Sequence, residues 1–367
     1  MPRTALAHIR EYRVCSPGPS RFGRSSEGTD QKVAMKVVLR ADAAVSSGSG
    51  HVVRCLTLIE ELRSRGHEAV LMTAPSGIDW LRSAIDASNV EVVATTVDSL
   101  DRESILAMAP DWVVVDSYRI PSERVTSLAQ DLPVLAVVDG DTRGVGATLY
   151  VDQNLGSEAH NWPAATAGRM LAGARFALVR EDILARRRAR PWVAGRIPRV
   201  VAVMGGTDPS AAIVDVAGKL AGNAAVDLVI VAPQRLVVEV ASVLGDETNS
   251  TVIPATPDLP ELLAGASIVV SAAGTSSWDV CSLAIPSVLV GLVDNQSDLV
   301  DQAVLQEVAL GINVYREGPG ALGRLGGMVT TLAGDRALRE RLSRRCSAVF
   351  DGRGKERVVD EMEERSG

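Results

Sequence analysis

From Met35 onward, short apolar runs alternate with stretches whose apolar positions recur at helical spacing, the signature of parallel α/β structure. Residues 36–40 read as a strand. Residues 51–65 read as a helix with Val52, Cys55, Leu56, Ile59 and Leu62 on one face, ended by Gly66. Strands follow at 69–72, 90–93, 112–115, 134–138 and 149–152. Residues 156–198 break the rhythm: Trp162, Pro163, the basic stretch 186–190 and Pro191–Trp192 predict an irregular crossover. A second series then runs through 199–204, 228–231, 251–253, 268–271 and 287–290, and residues 335–364 form a charged helical end. The pattern predicts an α/β protein of two Rossmann-like domains, 35–190 and 191–367, facing each other across a cleft that takes the ligand beyond the strand carboxyl ends. Residues 1–34 read as a disordered tail or a start codon placed too far upstream, since Met35 opens the first clear strand.

Composition narrows the function classes. At 46% hydrophobic and 23% charged residues the chain is globular, and with only 3% aromatics its cores are aliphatic. Four Lys against 34 Arg reflect a GC-rich genome, and the net charge of −7 argues against a nucleic-acid or anionic-membrane partner. Cys15, Cys55, Cys281 and Cys346 lie far apart without a C-x-x-C pair, which reads as a reduced, cytoplasmic set with neither disulfide framework nor zinc site. No apolar run is long enough to span a membrane, and the Arg-rich first 34 residues lack the apolar core of a secretory signal.

Three glycine turns follow predicted strands. In Gly48-Ser49-Gly50-His51 the glycines let the backbone approach a ligand, and a neutral imidazole at a helix start can take a proton from a nucleophile. Asp116 or Asp139, each at a strand carboxyl end, is placed to orient His51. Gly205-Gly206-Thr207-Asp208 and Gly274-Thr275-Ser276 combine glycine, small hydroxyls and a helix start, which suits a diphosphate, and Asp279 one turn later suits ribose hydroxyls. Asn295 and Gln296 can read sugar hydroxyls. Neither G-x-G-x-x-G nor G-x-x-x-x-G-K-[ST] occurs, which disfavours NAD and P-loop ATP binding. No spacing suggests a metal site, and no cofactor is expected.

Taken in order, Arg40-Ala41-Asp42, Gly48-x-Gly50-His51-x-x-Arg54-Cys55, Asp116-Ser117-Tyr118, Asp152-Gln153-Asn154, Arg180-Glu181, Gly205-Gly206-Thr207-Asp208, Gly274-Thr275-Ser276-Ser277-Trp278, Asp294-Asn295-Gln296 and Asp351-Gly352-Arg353-Gly354 resemble the UDP-sugar hydrolase of pseudaminic acid biosynthesis and related spore-coat polysaccharide proteins. The resemblance implies a GT-B fold, similar to the glycosyltransferase that adds N-acetylglucosamine in peptidoglycan synthesis. It also implies His51 as catalytic base, Tyr118, Asn295 and Gln296 in the sugar pocket, and UDP on the C-terminal turns. The implied site is therefore His51, Asp116 and Tyr118 for catalysis, with Gly48, Gly50, Gly205, Gly206, Thr207, Gly274, Thr275, Ser276, Asp279, Asn295 and Gln296 for nucleotide and sugar. The chain departs from the family at Ser117, Arg119, Gly140 and Asp279. Gly140 removes a carboxylate from the cleft mouth and Arg119 adds a cation. With the GC-rich composition, these departures favour an inverting transferase acting on a UDP-sugar and a small acceptor, such as a nucleobase, over a hydrolase using water.

Overall fold

The computed structural model describes residues 34–44, 48–74, 76–163, 168–187, 197–246 and 249–366. The expected tail lies outside these residues except for Ala34. So do Arg188–Arg190, Pro191–Trp192 and the boundary expected between residues 190 and 191.

Strands buried on both faces need continuous apolar runs, and the chain supplies them. The first half runs β1 (Lys36–Ala41), α1 (Gly50–Ser64), β2 (Glu68–Thr73), α2 (Asp79–Ser88), β3 (Glu91–Ala94), α3 (Arg102–Ala107), β4 (Trp112–Asp116), α4 (Ser122–Leu128), β5 (Val134–Val137), β6 (Leu149–Asp152) and β7 (Arg169–Ala172). All seven strands pair in parallel in the order β3-β2-β1-β4-β5-β6-β7. Val37 and Leu39 of β1 face α1, where Val52, Cys55, Leu58, Ile59 and Leu62 are fully buried; Val38 faces the opposite layer. Leu58 completes the apolar face, whereas the expected Leu56 is only half-buried. Gly66, at φ +85°, closes the helix as expected.

A short helix, α5 (Glu181–Leu184), leads toward the second half. There follow β8 (Arg199–Val203), α6 (Ala212–Leu220), β9 (Asp227–Ala232), α7 (Val237–Leu244), β10 (Ser250–Pro254), α8 (Leu259–Gly265), β11 (Ile268–Ala272), α9 (Ser276–Ser282), β12 (Ser287–Gly291), α10 (Asp294–Leu305) and β13 (Leu310–Asn313). These six strands are also parallel, in the order β10-β9-β8-β11-β12-β13. Helices α11 (Val314–Glu317), α12 (Leu325–Gly334), α13 (Arg336–Val349) and α14 (Gly354–Ser366) end the chain. The last helix crosses back to the first half: Val358, Val359 and Met362 are fully buried in the same core as α1. Polar contacts help to fix its seat. Arg65 bonds Asp360 and Glu363, and the Trp112 indole N–H donates to Ser366 Oγ at 2.8 Å. Among the described residues no helix is long and apolar enough to cross a membrane.

Candidate active site

In an open parallel sheet the chain leaves neighbouring strands in opposite directions where the strand order reverses, and the gap between the departing loops is a ready-made crevice. In the first sheet that point lies between β1 and β4, and in the second between β8 and β11. All three glycine turns follow strands at these two points. Gly48 and Gly50 follow β1, Gly205 and Gly206 follow β8, and Gly274 follows β11.

The two points also meet. A Cβ built on Gly50 would lie 2.9 Å from Thr275 Oγ1, and one on Gly206 would lie 2.8 Å from the Trp80 ring of α2. Glycine is therefore a steric requirement of the closed cleft at both positions. Gly50→Ala is expected to cost about 1–3 kcal/mol of overpacking in this closed arrangement. Turnover should fall, and Thr275→Ser, which deletes the methyl group but keeps the hydroxyl, should fail to restore it because the crowding atom is Oγ1. Thr275→Ala in the same chain should relieve the crowding, as urea midpoints of the single and double variants will show.

His51 lies in the first turn of α1, where three-residue spacing puts Arg54 on the same face. Both are buried, and both reach Asp116 at the end of β4. Arg54 grips this carboxylate with two bonds, Nε to Oδ2 at 2.8 Å and Nη2 to Oδ1 at 2.7 Å. His51 Nδ1 lies 2.5 Å from Asp116 Oδ1. With an ionised carboxylate as partner, Nδ1 carries the proton and donates. The 2.9 Å approach of Arg54 Nη2 to Nδ1 is then a contact between two donors sharing one oxygen. Burial drives the Asp116 pKa up, but the Arg54 guanidinium and then His51 outweigh it and hold it at about 2. The carboxylate is thus ionised at any ordinary pH. His51 Nε2 has no partner among the described residues, so its lone pair is available to accept a proton.

Of the two candidate partners for His51, Asp116 is the one in contact. Asp139 instead accepts from Arg54 Nη1 at 3.4 Å and from Asn154 Nδ2 at 2.9 Å. Behind it, Asp152 accepts the amides of Gly140 at 2.6 Å and Asn154 at 2.8 Å, and burial pushes its pKa up to about 6. Tyr118 is part-exposed and meets the His51 ring edge-on, with centroids 4.6 Å apart. Arg119, at the mouth, is ion-paired with Asp98 at 2.9 Å.

The two C-terminal turns differ. After Gly205, at φ +81°, the carboxylate of Asp208 accepts the amides of Ala212 and Ile213 at 3.0 and 2.9 Å, so it fills the helix N-terminus itself. Thr207 is buried there, its carbonyl accepting from Arg235. After Gly274, by contrast, Thr275 and Ser276 amides donate to nothing among the described residues, and α9 has no side-chain cap. Gln296 stands beside this turn: its Oε1 accepts the Leu292 amide at 2.9 Å, and its Nε2 would lie 3.8 Å from a Cβ on Gly274. Asn295 is exposed on the first turn of α10. Asp279 faces Arg180 at 3.5 Å, and burial pushes its pKa up to about 6 despite that cation.

No family model matches the chain, and no curated protein matches it. Solved structures do. Acinetobacter baumannii MurG is 16% identical with a TM-score of 0.62, over 90% of this chain and 99% of its own. The kitacinnamycin glycosyltransferase is 18% identical with a TM-score of 0.61, over 91% and 99%. The spinosyn rhamnosyltransferase SpnG, solved with thymidine diphosphate, is 16% identical with a TM-score of 0.57, over 86% and 95%. The fold is GT-B. In this GT-B chain the expected architecture of two Rossmann-like domains is present in full, with seven strands in one sheet and six in the other. Arg54, the residue that sets the charge state of Asp116, stands in the His51 motif, but the sequence alone assigns it no role. Its signal is positional: a charged side chain three residues after His51, on a face that is otherwise apolar. Among the described residues no group of three or more His, Cys, Asp or Glu side chains is placed to hold a metal ion. A separate cavity of about 650 Å³ beside β7, reaching Gln306 and Val349, contains none of these site residues.

Proposed function

We propose that this protein is an inverting, UDP-sugar-dependent glycosyltransferase that passes its sugar to a small acceptor, such as a nucleobase or another secondary-metabolite precursor, in the cytoplasm. The observation that carries the reading is the His51–Asp116–Arg54 relay, poised at the switch point of one sheet directly after Gly50, whose backbone closely approaches Thr275 in the open turn of the other. Asp116 holds the proton on Nδ1 and leaves Nε2 to act as base. The acceptor O–H or N–H gives its proton to Nε2 while its lone pair attacks the anomeric carbon from the face opposite UDP. The new bond forms as the anomeric C–O bond breaks, its electron pair leaves with UDP, and configuration inverts. The free amides and hydroxyls of Thr275 and Ser276 suit the charge developing on the leaving diphosphate. Gln296, beside the same turn, and Tyr118, beside His51, suit the sugar between them.

Support for UDP comes from the ordered motifs that resemble those of the UDP-sugar hydrolases, and support for transfer from the departures at Ser117, Arg119 and Gly140. The hydrolase differs only in placing water where the acceptor stands. Calorimetry with UDP and ADP tests the nucleotide assignment. UDP should bind in preference; binding of neither, or a preference for ADP, overturns it.

A further inference from the structure

The mouth of the N-terminal half holds a cation that the reaction above does not use. Arg143 lies on the loop between β5 and β6 in the left-handed region, at φ +52°, where an L side chain is strained. Its guanidinium is held firmly: Nη2 donates to the Ser117 carbonyl at 2.8 Å, and Cζ lies 5.3 Å from the centroid of the Tyr118 ring. That ring is the one set edge-on against His51. Arg143 is thus anchored one aromatic ring away from the base.

Among the described residues no carboxylate lies within 4.0 Å of Arg143, and its Nε is buried without a hydrogen bond. The nearby acids are already engaged. Asp116 is held by Arg54 and His51, Asp139 by Arg54 and Asn154, and Asp141 Oδ1 accepts the backbone amide of Arg143 itself. The contrast with its neighbours is plain, since Arg54 and Arg119 each meet a carboxylate. Burial lowers the pKa of Arg143, with Asp116, Asp139 and Asp141 acting against it from a distance. A half-buried guanidinium with idle donors is costly unless an anion completes it, and its planar fork fits a carboxylate or phosphate with two bonds.

We infer that Arg143 forms an anion-binding subsite beside the reacting centre, so that the acceptor or the transferred sugar carries a carboxylate or phosphate there. This rests on the transferase reading, and the test separates the two. The Nε–H proton of Arg143, being buried, should give a slowly exchanging NMR signal, assigned by its absence in Arg143→Gln. In the full chain saturated with UDP, inorganic phosphate and acetate should each shift that signal in a saturable, millimolar titration. A signal that neither anion moves overturns the subsite. If the chain fails to bind UDP, the nucleotide reading falls, and the same titration on the free protein still decides the role of Arg143. Comparing UDP-glucuronate with UDP-glucose then locates the charge. A preference for the uronate of at least about ten-fold that vanishes in Arg143→Gln, with UDP affinity kept, puts it on the sugar; equal rates for the two donors in both proteins put it on the acceptor.

Discussion

Replacing His51 by Ala lowers the rate of UDP release by at least about a hundred-fold and leaves UDP affinity nearly unchanged, since a positioned acid–base group supplies roughly 10²–10⁴ in rate. The split follows from the geometry. His51 is anchored through Nδ1 to Asp116 in the N-terminal half, whereas the open amides of Thr275 and Ser276 lie in the C-terminal half. Asp116→Asn should reproduce part of the loss, because an amide in place of the carboxylate no longer fixes the proton on Nδ1. Steady-state UDP release and calorimetry on the same preparations measure both quantities. A His51→Ala variant as fast as the parent removes the base from this account.

Replacing Arg54 by Leu acts on the fold as well as the chemistry. Arg54 is almost wholly buried, and its removal leaves the buried Asp116 with only His51 as a side-chain partner among the described residues, a loss that costs about 3–5 kcal/mol when one partner of a buried pair is removed. Acid unfolding should report the same coupling. In the folded chain Asp116 titrates at about 2 against 3.8 for the ordinary group, so the unfolded chain binds more protons between those values. Its contribution, about 2 kcal/mol, is present above pH 4 and lost as the pH falls toward 2. Asp152 and Asp279, raised to about 6, have the opposite sign. They favour the folded chain at pH 4 and lose that advantage as the pH rises through 6. Stability should therefore rise on acidification from neutrality to about pH 4 and fall below it, and Arg54→Leu should shrink the fall to the part left by Asp351, which its bond from Arg357 also holds at about 2. Urea midpoints taken across that range give both limbs.

The clearest strands in the sequence are those buried on two faces, although the edge strands β3 and β10, largely unburied, are also legible as short Val and Ile runs. β4 reads as Val113-Val114-Val115 behind Trp112, every residue buried, and its boundary is off by one only because Asp116 is polar yet still in the ladder. Two strands are missing from the pattern for physical reasons. β7 is an edge strand in which only Leu171 is buried, so no apolar run marks it. In β13, Gly311 sits where a Cβ would strike Val300 at 2.6 Å, and close packing against α10 takes the place of an apolar side chain. In the site, residue types and loops were legible, but pairings across the sheet were not. Asp116 and Asp139 end comparable strands, and only the register of β4 beside β1 brings Asp116 under α1. Arg143 carries no motif at all. Its meaning comes from its contacts with Ser117 and Tyr118, which a linear reading cannot supply.

The central claim is that His51 drives transfer of a sugar from UDP to an acceptor. UDP release from a panel of UDP-sugars, with and without candidate small acceptors, tests it directly when the sugar product is identified by mass spectrometry. The account predicts UDP release that depends on an acceptor and yields a conjugate one glycosyl unit heavier than that acceptor. Stoichiometric free sugar at full rate with no acceptor present would contradict it and establish a hydrolase.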